Sequence, residues 1–296
     1  MLPRQAPTDW VSLHVFIHDF GRLNDCLRQC LNRLPVAFWR QAFYIRYWHG
    51  GPHLRLRFRD PQWIPLVTDR LTHYLQQHAF VSTLQPEPYY RAYAGHMEPG
   101  MAQDWHANGS LHYLAYHPET ERYGGPAGLP LCEAFFCWDS AHSLGILAAE
   151  PEAVLDKLLL GYCLTYAGVL RGLRAGPAQT GETAGLLPDA TSSAWLDAQA
   201  RAKLAGMAAA LHKVASDHAA GLYFPNYLAP LQARLLQLGD ALQRHGVADL
   251  PAIFHALLHM SFNRAGVTPA RETTIRLFAA HAEEALERDD CYPDTH

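Results

Sequence analysis

The sequence predicts an α+β protein in which an N-terminal antiparallel sheet with a hairpin is packed by a predominantly helical C-terminal half. Runs rich in β-forming residues are confined to about the first 120 residues, and helical periodicity dominates from residue 126 onwards. Because strands and helices are separated along the chain rather than alternating, we expect helices packed on one antiparallel sheet. We expect one domain over residues 1–296, sheet-rich over 1–125 and helical over 126–290.

The N-terminal elements follow from alternation and turn residues. Residues 11–18 (VSLHVFIH) alternate as in a strand, and leucines at near-helical spacing over 22–34 predict a helix that ends at Pro35. The β-rich runs FYIRYW and HLRLRFR are separated by a Gly-Gly-Pro sequence. Turn residues between two such runs predict a β-hairpin.

The later elements are a helix, a loop, a strand and then helices. Pro61 and Pro65 open a predicted helix that extends to about His78. Residues 86–110 are rich in Pro, Gly and aromatic residues, which predicts a loop. The run LHYLAYH that follows predicts a strand. Pro126 suits the first turn of a helix. Further helical periods follow at about 151–171, 194–218, 227–245, 250–263 and 269–288, with a Gly/Thr/Pro-rich connector over 172–193 that we expect to lack regular structure.

Composition excludes several classes of protein. With 49% hydrophobic and 18% charged residues, the chain is not intrinsically disordered. The formal net charge of −4 lacks the basic excess of a nucleic-acid-binding protein. The N-terminus has no apolar signal stretch and no uncharged run is long enough to span a bilayer, so we expect a cytoplasmic protein without a membrane partner. Six cysteines without a CxxC pair predict reduced thiols.

The segment HLRLRFR alternates arginine with apolar residues. In a strand, Arg55, Arg57 and Arg59 share one face, and the leucines and phenylalanine share the other. Three guanidinium groups on one face form a candidate anion site. The alternative is the solvated outer face of an amphipathic strand.

The segment ETERYGG follows a predicted strand and precedes a helix. Its glycines permit a tight turn whose backbone N–H groups face a ligand, with Arg122 close by. The alternative is an ordinary strand-to-helix turn in which Arg122 pairs with a glutamate.

His255 and His259 lie four residues apart on a predicted helix, a spacing that can chelate a metal. The glutamate of an HExxH motif is replaced by Ala256, and no third ligand is evident, so we expect no metal. His259 is better interpreted as a core-edge imidazole or an acid/base group. Nucleotide-binding glycine motifs and a GxSxG elbow are also absent from the sequence.

Taken together and in order, HLRLRFR, ETERYGG and HMSFNR resemble the C-terminal family of lantibiotic dehydratases and thiopeptide-type bacteriocin biosynthesis proteins. The resemblance implies a lyase that eliminates glutamate from glutamylated Ser or Thr of a precursor peptide, giving dehydroalanine or dehydrobutyrine. Because the sequence has no nucleotide or metal motif, we expect this lyase to need no cofactor. It implies recognition of the leader and the glutamylated core of that peptide. The chain is similar to a stand-alone version of this domain, so a separate tRNA-dependent glutamylating dehydratase subunit is the implied partner.

The resemblance also implies the site residues. The paired hairpin arginines of the family match Arg55 and Arg57, its glutamate and arginine before the glycines match Glu119 and Arg122, and its late histidine matches His259. A histidine suits proton removal, and arginines suit a carboxylate or a developing enolate. Glu119 is expected to orient an arginine or to meet the glutamyl amine. Ser261-Phe262 departs from the further polar residue that the family often has.

Two other functions stay open at this stage. Related stand-alone enzymes form the pyridine core of thiopeptides by formal [4+2] cycloaddition of two dehydroalanines, and we expect those to depart from the arginine and ERYGG pattern. A catalytically silent peptide-binding subunit is the second alternative. Elimination further predicts that Arg55, Arg57 and Arg122 converge on one pocket, with Arg59 dispensable or steering anionic substrate.

Overall fold

The computed structural model describes residues 9–78, 82–94, 97, 104–174, 186–187, 204 and 206–290. The chain divides into two compact units, Met1–Pro118 with Phe136–Ala148, and Glu119–Phe135 with Ala149–His296. Strands lie in the first unit and the longest helices begin after it, so the predicted α+β class is confirmed. The single domain over residues 1–296 stays a prediction.

The first unit contains a four-stranded antiparallel sheet with the order β2-β3-β1-β4. The predicted hairpin is confirmed, since β2 pairs with β3 across the Gly-Gly-Pro turn. The predicted strands over 11–18 and 111–117 are both present but shorter. The strands are β1 (Val11–Phe16), β2 (Ala42–Tyr47), β3 (His53–Phe58) and β4 (Ser110–Tyr113).

The sheet register separates two chemically different faces. His14 on β1 lies opposite Arg55 on β3 and His112 on β4, so these three side chains share a face. Leucines of β1 and β3 occupy the other face and are fully buried. The arginine face is not a solvated outer face, because Arg57 is only 7% exposed. Since β3 ends at Phe58, Arg59 lies just beyond the strand.

Short helices complete the first unit. The predicted helix over 22–34 is divided into α1 (Phe20–Asp25), a π-helical turn (Cys26–Cys30) and a 3-10 turn. It is followed by α2 (Val36–Trp39) and α3 (Ile64–Gln77), and the latter confirms the segment predicted after Pro61.

The predicted loop over 86–110 is wrong at its start, where α4 (Pro86–Ala92) forms. Pro86 suits the first helical position because its missing N–H would have no partner in the first turn. Tyr89 and Tyr90 are buried, which gives this short helix an apolar anchor.

The second unit consists of long helices. The helices are α5 (Gly125–Ala149, whose C-terminal half belongs to the first unit), α6 (Glu152–Arg174), α7 (Ala208–Ala219), α8 (Pro225–Arg244), α9 (Leu250–Ala265) and α10 (Pro269–Asp290). Helix α10 packs against α6 and α7, and α6 also packs against α8 and α9. The predicted connector over 172–193 and the start of the predicted helix over 194–218 lie mostly outside the described residues.

Helix α6 is the central apolar helix of the second unit. Within the described residues it is the helix whose length and composition would allow it to cross a membrane, over Glu152–Leu173. However, 72% of its apolar window is buried inside the protein. Such burial is typical of a core helix, so α6 is weak evidence for a membrane segment.

Candidate active site

The ETERYGG segment forms a tight turn at the start of the second unit. A 3-10 turn over Glu121–Tyr123 is followed by Gly124 at φ +83° and Gly125 at φ +70°, and α5 then begins. Only glycine adopts these values without strain, which explains the paired glycines. Arg122 Nη1 donates to Glu119 Oε2 at 2.7 Å, so the Arg–Glu pair expected for this turn is present.

A cavity of about 870 Å³ lies beside this turn, within the second unit. It is bounded by the turn, by the connection between α8 and α9, and by the first turns of α9. Its polar lining combines a guanidinium group, two carboxylates and two imidazoles. These groups belong to Arg122, Glu121, Asp249, His245 and His255.

His259 on α9 pairs with a carboxylate on α10 that the sequence analysis missed. His259 Nδ1 lies 2.8 Å from Glu272 Oε2, and Arg276 Nη2 donates to Glu272 Oε1 at 2.6 Å. Arg276 in turn donates from Nη1 to the carbonyl of Leu186 at 3.0 Å. The i,i+4 spacing of Glu272 and Arg276 signals an ion pair on a helix, but nothing in the sequence points from that pair to His259.

The electrostatics of this pair determine which nitrogen of His259 carries the proton. Burial alone would raise the pKa of Glu272, but its contacts with His259 and Arg276 outweigh burial and lower that pKa. An ionised carboxylate only accepts hydrogen bonds, so Nδ1 of His259 must be the donor. In the neutral imidazole, Nε2 is then the proton acceptor. The side chain of His259 is 37% exposed, so substrate can reach it.

His255 lies one turn before His259 and also belongs to the cavity lining. Its pKa is lowered, first by burial and then by the positive charge of Arg276. The lowered pKa favours the neutral form of the His255 imidazole, one helical turn from the candidate base. Among the described residues, no group of three His, Cys, Asp or Glu side chains is arranged to hold a metal ion.

Ser261, Phe262 and Arg264 of the HMSFNR segment are buried in the second unit. Ser261 is buried, donates to the carbonyl of Leu257 at 3.2 Å and lies 3.1 Å from the hydroxyl of Tyr166. Arg264 is fully buried. The hydroxyl group of Ser261 therefore makes its contacts within the helical core. Ser261-Phe262 is also the position where the sequence departs from the family pattern.

In the first unit, aromatic rings hold the hairpin arginines. The guanidinium carbon of Arg55 lies 3.3 Å from the centroid of the Tyr47 ring, and that of Arg57 lies 4.3 Å from the Tyr116 ring. The guanidinium carbon of Arg59 instead lies 4.6 Å from the centroid of the Trp10 ring. These cation–π contacts restrict the orientation of the guanidinium groups. The convergence of Arg55 and Arg57 with Arg122 stays a prediction, because they belong to different units.

Cysteine thiols belong neither to the contacts described for His259 nor to those described for the hairpin arginines. The five cysteines within the described residues are buried and carry free thiols, as predicted for them. Cys291 lies outside the described residues. Burial raises the pKa of Cys163 to about 12, so this thiol stays protonated and unreactive at neutral pH.

Solved structures of other proteins share this fold. A pyridine synthase from thiomuracin biosynthesis, TbtD, superposes with a TM-score of 0.68 at 19% identity, covering 94% of this chain and 99% of that one. The tRNA-dependent lantibiotic dehydratase MibB from Microbispora sp. 107891 gives 0.62 at 19% identity, covering 97% of this chain but only 29% of that one. TsrL gives 0.53 at 16% identity, covering 94% of this chain and 95% of that one.

The family model for the C-terminal part of lantibiotic biosynthesis dehydratases matches residues 10–282. The chain belongs to this family, which confirms the resemblance drawn from the three motifs. A search of curated protein sequences gives no match.

Proposed function

We propose that this protein is a lyase that eliminates glutamate from glutamylated Ser or Thr residues of a ribosomal precursor peptide. The observation that carries the proposal is the chain of contacts from Arg276 through Glu272 to His259. It keeps the Nε2 atom of an exposed imidazole available as a base. Removal of a weakly acidic α-proton is the demanding step of a β-elimination.

The elimination is redox-neutral and uses the side chains of the protein. His259 Nε2 takes the proton from Cα of the modified residue, and the electron pair of that C–H bond forms the Cα=Cβ double bond. The Cβ–O bond breaks, and its electron pair leaves with the carboxylate of glutamate. The proton on His259 then passes to solvent, which restores the base.

Cationic side chains offset the negative charge in this reaction. Arg55, Arg57 and Arg122 bind the glutamyl carboxylate or stabilise the developing enolate, since guanidinium groups stay charged and bind carboxylates through paired hydrogen bonds. Glu119 orients Arg122, to which it is bonded at 2.7 Å, or meets the glutamyl amine. Fixed charges of this kind stabilise a transition state without reorganisation.

The substrate must be glutamylated before it reaches this protein. We therefore propose a tRNA-dependent glutamylating dehydratase as the partner, and a precursor peptide recognised through its leader and glutamylated core. The reaction takes place in the cytoplasm, where glutamyl-tRNA is available, and needs no cofactor. Family membership supports the precursor-peptide part of this proposal.

The direct test mixes purified protein with a glutamylated precursor peptide in the absence of ATP, metal and other cofactors. Mass spectrometry is expected to detect the loss of one glutamic acid per modified residue. Intact glutamylated peptide after prolonged incubation would contradict the proposal. Loss of turnover after chelation would contradict only its cofactor-free part.

A pyridine-forming [4+2] cycloaddition is the second candidate function. Its support is the likeness to TbtD, which extends over 99% of that pyridine synthase. A peptide that already contains two suitably spaced dehydroalanines separates the candidates. A cycloaddition enzyme converts this peptide to a pyridine-containing product, whereas a glutamate lyase leaves it unchanged.

A further inference from the structure

We propose that His53 is a positioning residue that holds the guanidinium group of Arg55 in a fixed orientation, by accepting a hydrogen bond at Nε2. The inference rests on the proposed function, in which Arg55 binds the substrate carboxylate or the enolate. In this role His53 acts by orienting Arg55 and does not itself contact the substrate.

The geometry begins in the hairpin turn. His53 opens β3 and shares a face with Arg55 two residues later. Its Nδ1 lies 2.8 Å from the carbonyl oxygen of Gly51, and Nε of Arg55 lies 3.2 Å from its Nε2. A carbonyl can only accept, so Nδ1 carries the proton and Nε2 accepts from the arginine.

The environment keeps this imidazole neutral. His53 is 1% exposed, and burial lowers its pKa to about 2, with Arg55, His14 and His106 lowering it further and the bond to Gly51 opposing them. A protonated ring would place an N–H group against the guanidinium group. The neutral Nδ1–H tautomer is therefore the form that can hold Arg55.

Arg55 is thus held from two directions. Tyr47 pairs with His53 across β2 and β3, and the centroid of its ring lies 3.3 Å from the guanidinium carbon of Arg55. The bond from Nε to His53 adds a second contact that restricts rotation of the guanidinium group. A carboxylate that binds Arg55 end-on accepts hydrogen bonds from Nη1 and Nη2. The contacts of Arg55 with Tyr47 and His53 therefore orient the Nη1–Nη2 edge of the guanidinium group towards such a carboxylate. An arginine fixed in advance loses less conformational freedom on binding.

Two substitutions separate the two hydrogen bonds of His53. In His53→Asn the side-chain amide can still donate to Gly51, but no acceptor reaches Arg55. In His53→Gln the amide oxygen reaches the position of Nε2. We expect His53→Asn to lower kcat/KM for glutamate release by about 10- to 100-fold, the usual effect of losing a hydrogen bond to a charged group, and His53→Gln to restore most of it.

The control for histidine loss is His78→Asn. His78 Nδ1 also lies 2.8 Å from a carbonyl oxygen, that of Tyr74, and the His78 ring lies 4.3 Å from the Tyr74 ring. We expect His78→Asn to keep wild-type kcat/KM. An Arg55→Lys background completes a double-mutant cycle, in which His53→Asn should add little further loss. A full additional loss there, or no rescue by His53→Gln, would overturn the positioning role.

Nitrogen-15 NMR of histidine-labelled full-length protein tests the contact without any activity. We expect His53 as the Nδ1–H tautomer, unprotonated from pH 7 to pH 5, with an Nε2 resonance that shifts in Arg55→Lys but not in Arg59→Lys. An Nε2–H tautomer, or no response to Arg55→Lys, would refute the inference. Inactive wild-type protein with the expected NMR pattern would refute only the proposed elimination.

Discussion

His259 is the residue whose removal tests the proposed elimination most directly. Loss of a general acid/base group typically costs about 10²–10⁴ in rate, so His259→Ala is expected to accumulate glutamylated peptide. Peptide binding should persist, because the imidazole is assigned proton transfer rather than recognition. Mass spectrometry of reaction time courses and fluorescence titration with labelled peptide measure the two effects.

His255 provides the comparison for that experiment. His255 lies one helical turn from His259 and lines the cavity with Arg122, whereas His259 contacts Glu272. Replacing each histidine in turn therefore tests which of the two is the base. If His255→Ala stalls at the glutamylated stage while His259→Ala turns over normally, the wrong histidine has been assigned.

Glu272 supports the base from the neighbouring helix. In Glu272→Gln the charged acceptor for Nδ1 of His259 is lost, and we expect kcat to fall by about 10- to 100-fold with little change in KM. The matched control is Glu283→Gln on the same helix, which removes the ion pair of Glu283 with Arg171. Steady-state kinetics of glutamate release distinguish the two variants, and equal effects would argue against a specific role of Glu272.

At the scale of elements, the turn before α5 determines where Arg122 lies. A Cβ atom at Gly124 would come within 2.6 Å of Val247, and φ is +83° there. At Gly125 φ is +70°, but a Cβ atom would meet nothing within 4 Å. Both alanine variants carry the backbone strain of about 1–2 kcal/mol, and only Gly124→Ala also displaces the cavity lining.

We therefore expect Gly124→Ala to lower the free energy of unfolding more than Gly125→Ala does, and also to raise KM through the displaced Arg122. Urea denaturation followed by circular dichroism measures the first effect, and kinetics measure the second. Equal stability and equal KM in the two variants would show that the contact with Val247 does not determine the position of the turn.

At the scale of the whole molecule, buried histidines make stability depend on pH. Burial, reinforced by Arg55 and Arg57, lowers the pKa of His14 to about 3, and burial lowers that of His53 to about 2. Below the unfolded pKa of about 6.5, the unfolded chain binds protons that the folded chain does not. Each histidine thus stabilises the fold fully above that value, and its contribution declines by up to about 1.4 kcal/mol per pH unit as the pH falls.

Hydrogen exchange of β1 and β3 amides, corrected for intrinsic rates, is expected to show less protection at pH 5 than at pH 7. His14→Gln should weaken this dependence, because one of the buried rings with a strongly lowered pKa is gone. His73→Gln, at an exposed position on α3, should leave it unchanged. An undiminished dependence in His14→Gln would contradict the link to buried imidazoles.

Local chemistry in the sequence determined the elements that carry the proposed site. Strand alternation placed Arg55 and Arg57 on one face, the Gly-Gly-Pro turn placed β2 against β3, and the paired glycines of ETERYGG required a turn at positive φ. These features depend on residues close together in the chain, so period and turn chemistry are sufficient to predict them. Three motifs in order were likewise sufficient to indicate the family.

Contacts between distant residues were decided only by the tertiary structure. Glu272 contacts His259 because α9 and α10 bring the two side chains together. The periodicity of the sequence does not predict which side chains of two helices will be in contact. Burial of Arg57 excluded the alternative of a solvated outer face, and buried tyrosines favoured a helix at Pro86 where turn-forming residues predicted a loop. In each case the energy of packing and desolvation, which depends on the whole fold, outweighed the local preference.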